Sequence, residues 1–501
     1  MSILTGYPRS DRRRYVVRLL NQVDRHLHAL SAQGRYDIHV YCDGDCGTLR
    51  AEFQHVVFHR LTTFTTTTNQ STDTFDRTLF RRLHDTNDTI ELSGVEFQRH
   101  RWLYVSQNYR RMLDDLFLPR PTGSTPSQSC IILEDDLVLA PDALPYLEAV
   151  ERLMQSDRTI FTASLFADNS YPLYARDRRR FRRVSHFAGL GFVMTQQRYV
   201  DEVRRTVWAG LQNWDEQVQK FIQRRGLVSI VPEISRALHL RRASNSLSER
   251  SRPTHPFESQ LLNDEILPEY NLDQLLQTVY DRYIVDIIQR SQYIRYLADA
   301  LFFNSVDETV VYFDCKDDKD LHRILADRNL WGLGNGGVVR GSYRGLLFFR
   351  YYAAQVLIVC RNSEFNSQRR KTTSMFRPDT TNITLDGSRV KRRVVGLVHR
   401  LTSDFSVVVA TRNQSCNDAC DRKCDVTGLW LLNESCDVIA HVIPGCRRCA
   451  VASAEHYADG ALPGMNAEDD HCIRAYPHYI SCDTVSDRYR RFCVCRRDRH
   501  I

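Results

Sequence analysis

Chemistry is most concentrated at Glu134, Asp135 and Asp136, three adjacent carboxylates that close the apolar run Cys130-Ile-Ile-Leu133. A short continuous apolar run bounded by polar loop reads as a strand buried on both faces. In open α/β sheets, ligands bind just outside the carboxyl ends of the strands. Acids side by side there repel one another unless a cation or hydrogen-bond donors compensate, and all-oxygen ligand sets suit Mn²⁺ or Mg²⁺. A competing reading has Asp135 and Asp136 capping the next helix, expected to begin near Pro141-Asp142. The flanking run Leu137-Val-Leu-Ala-Pro-Asp142 favours the metal site. A second candidate is Asp215, in Trp214-Asp-Glu216 at the start of an expected helix. On spacing alone it serves equally as a general base or as an N-terminal acid favoured by the helix dipole. The glycines of His186-Phe-Ala-Gly-Leu-Gly-Phe-Val-Met194 mark backbone that must turn or approach a ligand closely. His239 could add a metal ligand, but the sequence reading treats it as a buried structural histidine.

Positioning these residues takes an α/β scaffold. A strand at Ser2–Gly6 leads to a helix in which Tyr15, Val16, Leu19, Leu20, Val23 and Leu27 recur at helical spacing, with Ser10 or Asp11 as N-cap. A strand over Asp37–Tyr41 then ends at Cys42-Asp-Gly-Asp-Cys-Gly47. Strand, helix and strand with short joints begin a parallel, doubly wound sheet. No Gly-x-Gly-x-x-Gly phosphate turn follows, which disfavours a dinucleotide fold of the dehydrogenase kind. Further strands are expected over His55–Leu61, Thr159–Phe166 and Val228–Pro232. Helices are expected over 98–118, carrying Tyr104, Tyr109, Leu113 and Phe117, and over Asp142–Gln155. The polar stretch Thr62–Thr74 reads as exposed loop, and residues 271–303 as a long helix or helix pair. A β-rich unit at Thr309–Cys360 holds strands Val310–Phe313 and Leu346–Phe349, and strands at 393–399 and 405–411 enter a cysteine-rich tail. The expected division is a catalytic domain (1–304), a small α+β domain (305–362), a linker (363–390) and the cysteine-rich module (391–501).

The chain's 501 residues suffice for two or three such units. No apolar run approaches the ~20 residues that a membrane helix needs. The net charge of +7 arises largely from Arg176–Arg183 and the last ten residues. No basic face interleaved with aromatics sits on a nucleic-acid module, so nucleic acid is not an expected partner; an anionic donor or a membrane surface is. Ten of the 15 cysteines lie between Cys416 and Cys495, the mark of a disulfide-stapled module in an oxidising compartment. Zinc is the alternative, because Cys446-Arg-Arg-Cys449 has ligand spacing, but no second pair at zinc-ribbon spacing accompanies it. Glycosylation acceptor triplets at Asn69, Asn87, Asn382, Asn413 and Asn433 agree with secretion. Without a signal peptide ahead of Ile3-Leu4-Thr5, a membrane anchor is expected in the full-length protein.

The run Leu133-Glu-Asp-Asp-Leu-Val-Leu-Ala-Pro-Asp142 resembles the metal-site segment of the N-acetylglucosaminyltransferase I family, which includes the protein O-mannose β-1,2-N-acetylglucosaminyltransferase. Further stations follow in the family's order: Arg9-Ser10, Asp45-Cys-Gly47, Phe187-Ala-Gly-Leu-Gly191, Trp214-Asp215, Pro232-Glu-Ile-Ser-Arg236 and Ser342-Tyr-Arg-Gly345. Each is weak alone, and their shared order over about residues 1–361 carries the resemblance. It implies a GT-A fold, a Rossmann-like and mostly parallel sheet. The implied activity is inverting transfer of GlcNAc from UDP-GlcNAc to a mannose hydroxyl of a glycan or glycoprotein, with Mn²⁺, in the Golgi lumen. By the same carry-over Asp136 holds the metal, Glu134 and Asp135 bond the donor's sugar and ribose, and Asp215 is the base. Donor contacts also fall to Arg9, Asp45, Asn108, Gly189, Leu190 and Gly191.

The chain departs from the family in places. Asn108 stands where the family has a His, Tyr7 where it has the Cys partner of the Asp-Cys-Gly motif, and Glu216-Gln217 where it has Asp-Trp. Cys46 therefore pairs with Cys42 or stays free, and the acceptor is open. In the tail, Ser415-Cys-Asn-Asp-Ala-Cys420, Leu432-Asn-Glu-Ser-Cys436 and Phe492-Cys-Val-Cys-Arg496 resemble the carboxyl-terminal region of N-acetylglucosaminyltransferase V. That resemblance implies a portable structural or acceptor-orienting module. A catalytically inactive glycan-binding relative is the alternative from another class, and retention of Asp215 beside the three acids argues against it.

Overall fold

A computed structural model of the chain describes residues 2–5, 12–32, 36–43, 47–61, 94–119, 125–206, 214–240, 260–303, 308–328, 330–332, 337–368, 375–376, 392–446, 448–451, 462–466, 471–475 and 480–497. Arg9, Asp45 and the triplets at Asn69, Asn87 and Asn382 lie outside them.

The carboxylate strand is β4 (Ser129–Glu134), within an eight-stranded sheet made with β1 (Ser2–Thr5), β2 (Ile38–Asp43), β3 (Val56–Leu61), β6 (Ile160–Ser164), β7 (Phe181–Val184), β8 (Phe192–Thr195) and β9 (Val228–Pro232). The strand order is β3-β2-β1-β4-β8-β6-β9-β7. β3 to β4 run parallel, as does β6 with β9, whereas β8 lies antiparallel between β4 and β6, and β7 antiparallel to β9. The sheet is thus mixed.

Its central strand is apolar at its four inner positions, Cys130 to Leu133, because both faces are covered there. Ile131 and Leu133 join a core with α1 (Arg12–Ala29) and α3 (Ala143–Ser156), while Cys130 and Ile132 join another with α2 (Gly94–Phe117) and α4 (Trp214–Arg225). The helical spacing read for α1 holds: Val16, Leu19, Leu20, Val23 and Leu27 are all buried. Residues 271–303 contain one α-helix, α5 (Gln277–Arg290), flanked by 3₁₀ turns at Asp273–Leu275 and Leu297–Phe302. Extended backbone at Leu276 and Ser291 ends it on either side.

A second sheet has six strands: β11 (Gln292–Ile294), β12 (Thr309–Cys315), β13 (Ser342–Tyr343), β14 (Leu346–Tyr351), β15 (Ala354–Cys360) and β16 (Met375–Phe376). It draws strands from both sides of the 305–362 range, and β16 falls inside the expected linker. The strand expected at 393–399 is instead α7, Arg392–Asp404, counting Asp318–Ala326 as α6. Val394, Leu397, Val398 and Leu401 form its buried stripe. That spacing is helical; the β-branched valines had suggested a strand.

All ten tail cysteines are in disulfides: Cys416–Cys493, Cys420–Cys495, Cys424–Cys482, Cys436–Cys449 and Cys446–Cys472. Zinc therefore has no thiolates there. Cys315–Cys360 ties β12 to β15, and Cys42 is also disulfide-bonded. Asn413 is exposed, but Asn433 is 3 % exposed and its amide donates to the Ala475 carbonyl, so it is closed to a glycan in the folded chain.

The tail is not freestanding. Leu347, Phe349 and Ile358 of the second sheet share a core with Leu397, Leu429, Trp430, Phe492 and Val494. The tail crosslinks close loops of 13 to 77 residues. A loop of that size contributes about 2–4 kcal/mol per bridge by constraining the unfolded chain. Reduction is expected to open 416–495 to protease first, loosen β12–β15 next, and leave the eight-stranded sheet protected. Timed proteolysis with mass spectrometry follows this, and simultaneous loss of all three regions contradicts it.

Candidate functional site

β4 ends at Glu134, and a turn through Asp135 and Asp136 leads into β5 (Leu137–Leu139). β5 leaves the sheet and pairs antiparallel with β10 (Ala237–His239), in a register that puts His239 opposite Leu137. The Leu240 N–H donates to the Asp136 carbonyl at 2.9 Å, carrying the ladder one residue further. The other end of the ribbon is pinned by Arg236, fully buried, whose Nε lies 3.1 Å from Asp142 Oδ2. Pro232-Glu-Ile-Ser-Arg236 is thus scaffold: Glu233, also buried, accepts from the Arg176 and Asp177 N–H groups and from Arg182.

Asp135 and Asp136 do not cap α3. Asp142 occupies that N-cap position, and its carboxylate engages Arg236 and the Tyr270 hydroxyl. Ligand atoms of Glu134, Asp136 and His239 instead lie within 4.8 Å of one another. Asp136 and His239 are 5 % and 6 % exposed, with Asp136 Oδ2 3.4 Å from His239 Nε2. The Glu134 and Asp136 carboxylates and the His239 imidazole form a donor set that fits a divalent cation, the ordinary means of stabilising such a concentration of negative charge with Asp135 alongside.

α2 brings Tyr109 to this cluster. Its hydroxyl donates to Glu134 Oε1 at 2.6 Å. Burial, then the Glu134 charge, pushes the phenol well above its usual range, so it stays a neutral donor. Tyr109 stacks on Trp214 with ring centroids 4.0 Å apart, and the Trp214 backbone N–H donates to Ser106 Oγ at 3.1 Å. Phe187 and Phe192 close the other sides of the indole. This aromatic wedge fixes the start of α4 and so places Asp215, whose charge, with those of Glu134 and Asp136, acts on Tyr109. The fold thus brings Asp215 to the acids across about eighty positions of sequence.

Asp215 accepts from the Glu216 N–H at 2.8 Å. Burial raises its pKa, against which the Arg340 charge works. Arg340 precedes β13 of the second sheet; its Nη1 donates to Asp168 Oδ1 at 2.5 Å, and its guanidinium lies over Trp331. Asp168 Oδ2 lies 2.6 Å from His186 Nε2, and His186 Nδ1 lies 3.0 Å from the Gly341 backbone nitrogen. Burial pushes Asp168 up, but Arg340 and His186 outweigh it and hold the carboxyl below the usual carboxylate range. Sequence reasoning assigned no role to Tyr109, Asp168, His186 or Arg340. The only hints were Asp168 just past a strand end and His186 just before the glycine segment.

Asn108 is 5 % exposed, and its Oδ1 has no hydrogen-bond partner among the described residues. Gly191 has φ +63° and its carbonyl accepts from the Leu165 N–H; a Cβ there would stand 2.8 Å from Leu165 Cδ1 and 3.3 Å from Leu137 Cδ1. The glycine is therefore required for backbone to turn beside the strand that follows the acids. Leu190 lies at the same turn, with its carbonyl 3.3 Å from Ser164 Oγ.

Residues 65–370, over half of the chain, match the GNT-I family. A relative from Arabidopsis thaliana, named alpha-1,3-mannosyl-glycoprotein 2-beta-N-acetylglucosaminyltransferase, is 26 % identical over 259 residues, covering 49 % of this chain and 53 % of the relative. The chain spans about half the length of that curated relative.

Proposed function

We propose that this chain, which belongs to the GNT-I family, is an inverting, metal-dependent transferase that moves GlcNAc from UDP-GlcNAc to a mannose hydroxyl in β-1,2 linkage. The observation that carries the reading is the Tyr109–Trp214 stack, which sets the buried Asp215 carboxylate in one neighbourhood with Glu134 and Asp136. A binding module has no need of that base. In this reading the eight-stranded sheet is a GT-A domain working in the Golgi lumen, with Mn²⁺ as the cation.

Asp136 holds the metal. Once bound, the cation neutralises charge on the diphosphate leaving group. Glu134, oriented by Tyr109, and Asp135 accept hydrogen bonds from the donor's sugar and ribose. Asn108 Oδ1, which has no partner among the described residues, offers the nucleotide an acceptor, and Arg9, Asp45 and the Gly189-Leu190-Gly191 backbone complete the donor side. Asp215 takes the proton of the attacking hydroxyl, a task for which burial makes it more basic than an exposed aspartate. Mass-spectrometric detection of transfer from a panel of UDP-sugars to α-mannosides, with and without Mn²⁺, tests the assignment. Transfer of another sugar alone, or none, overturns it.

Arg340 supplies a check on the base. Asp215 must be ionised to act, so turnover falls as pH drops through its pKa. Removing the opposing cation raises that pKa, and Arg340→Gln is expected to move the acid limb of kcat to higher pH, whereas Arg340→Lys keeps it near its place. Equal profiles for both variants and the parent would separate Arg340 from the base.

A further inference from the structure

Among the described residues, two histidines face buried aspartates, and they do so differently. His186 Nε2 lies 2.6 Å from Asp168 Oδ2, a made hydrogen bond. His239 Nε2 lies 3.4 Å from Asp136 Oδ2, beyond the ~2.7–2.9 Å of a charge-assisted bond. That gap suits two neighbouring ligands of one first-row divalent ion, which bind at roughly 2.0–2.2 Å. The approach is set by backbone: β5–β10 pairing puts His239 opposite Leu137, the Leu240 N–H holds the Asp136 carbonyl, and the buried Arg236–Asp142 pair anchors the ribbon.

We propose that His239 is a direct ligand of the cation held by Asp136, making this a mixed carboxylate–imidazole centre. The proposal rests on the reading that the acid cluster binds a divalent metal. It goes beyond that reading in what it says of selectivity. Carboxylate and water ligands favour Mg²⁺ and Mn²⁺, whereas imidazole favours later first-row ions. His239 therefore biases the site away from Mg²⁺ and towards later first-row ions such as Co²⁺, with Mn²⁺ between the two. It also gives the protein a second ligand of its own, so that the cation binds before the nucleotide does.

The test is pulsed electron paramagnetic resonance on the full chain loaded with MnCl₂, with and without UDP. The proposal expects ¹⁴N modulation from a directly bound imidazole without UDP, its replacement by the ¹⁵N pattern when the protein carries ¹⁵N-histidine, and its loss in His239→Gln. The labelled parent protein needs no substitution, so it answers even where the variant fails to fold. Where His239→Gln folds, Mn²⁺ and Co²⁺ affinity should fall about tenfold or more, and that for Mg²⁺ less. Bound Mn²⁺ with no histidine nitrogen coupling, or no Mn²⁺ bound until UDP is added, overturns the proposal. Neither readout involves sugar transfer. Nitrogen coupling without GlcNAc transfer would sink the functional reading alone, and Mn²⁺-dependent transfer without coupling would sink only the histidine ligand.

Discussion

Asp136→Asn is expected to remove metal-dependent turnover while leaving the fold in place. Asp136 is buried at the turn after β4, with Glu134 and Asp135 as immediate neighbours. Asparagine keeps its size and one acceptor oxygen but removes the charge that holds a cation. Losing that charge stabilisation in a transition state costs roughly 3–4 kcal/mol, on the order of 10²–10³ in rate or more. Stability should move the other way. Without metal, three adjacent carboxylates repel, so the neutral variant should melt at the same temperature as the parent or higher. Adding Mn²⁺ should raise the parent's melting temperature by mass action and leave the variant's unchanged. Turnover and melting curves with and without Mn²⁺ read both effects. Full parental activity in excess chelator would remove the metal from the mechanism.

What could be read in the chain and what could not divide along a physical line. β4 is legible because its buried inner residues, Cys130 to Leu133, form an unbroken apolar run, and α1 because its stripe faces a single core. Cys416 to Cys495 were legible as disulfides from their density, though their pairing was not: Cys436 joins Cys449 and Cys446 joins Cys472, crossing the Cys-x-x-Cys pair that had hinted at zinc. α7 reads as strand in the sequence because its β-branched valines obscure a helical period. The site's supporting residues were hidden for another reason. Tyr109 looks like any buried helix tyrosine until Glu134 is set 2.6 Å from its hydroxyl. Arg340 reaches Asp168 across 172 positions of sequence. The sequence alone reads His239 as structural, because nothing in Arg236-Ala-Leu-His239 announces a ladder with β5. Register and long-range side-chain pairing decide these roles, and neither leaves a local pattern to read.

Asp215→Asn sets two roles for one carboxylate against each other. As a base, Asp215 should lose 10²–10⁴-fold in kcat on the scale usual for removing such a group. UDP-GlcNAc affinity should hardly change, because the base faces the acceptor. As a helix-terminal acid it should instead contribute about 0.5–2 kcal/mol of stability and little to turnover. The local geometry sharpens the contrast. Its carboxylate accepts from the adjacent Glu216 N–H, and asparagine's carbonyl can do the same, so that bond survives the substitution. Burial raises the pKa of Asp215 above its unfolded value. The resulting stability is fully present below the unfolded pKa and is lost as pH rises through the folded one; at neutral pH the ionised carboxylate is a net burden on the fold. Asparagine carries no such charge, so the variant should melt no lower than the parent at neutral pH. The stability gap between the two should close as the pH is lowered. One variant measured for melting temperature across pH, donor affinity and kcat therefore decides the matter. Normal kcat with a lowered melting point would return Asp215 to the role of a helix-terminal acid and leave the acid cluster without its base.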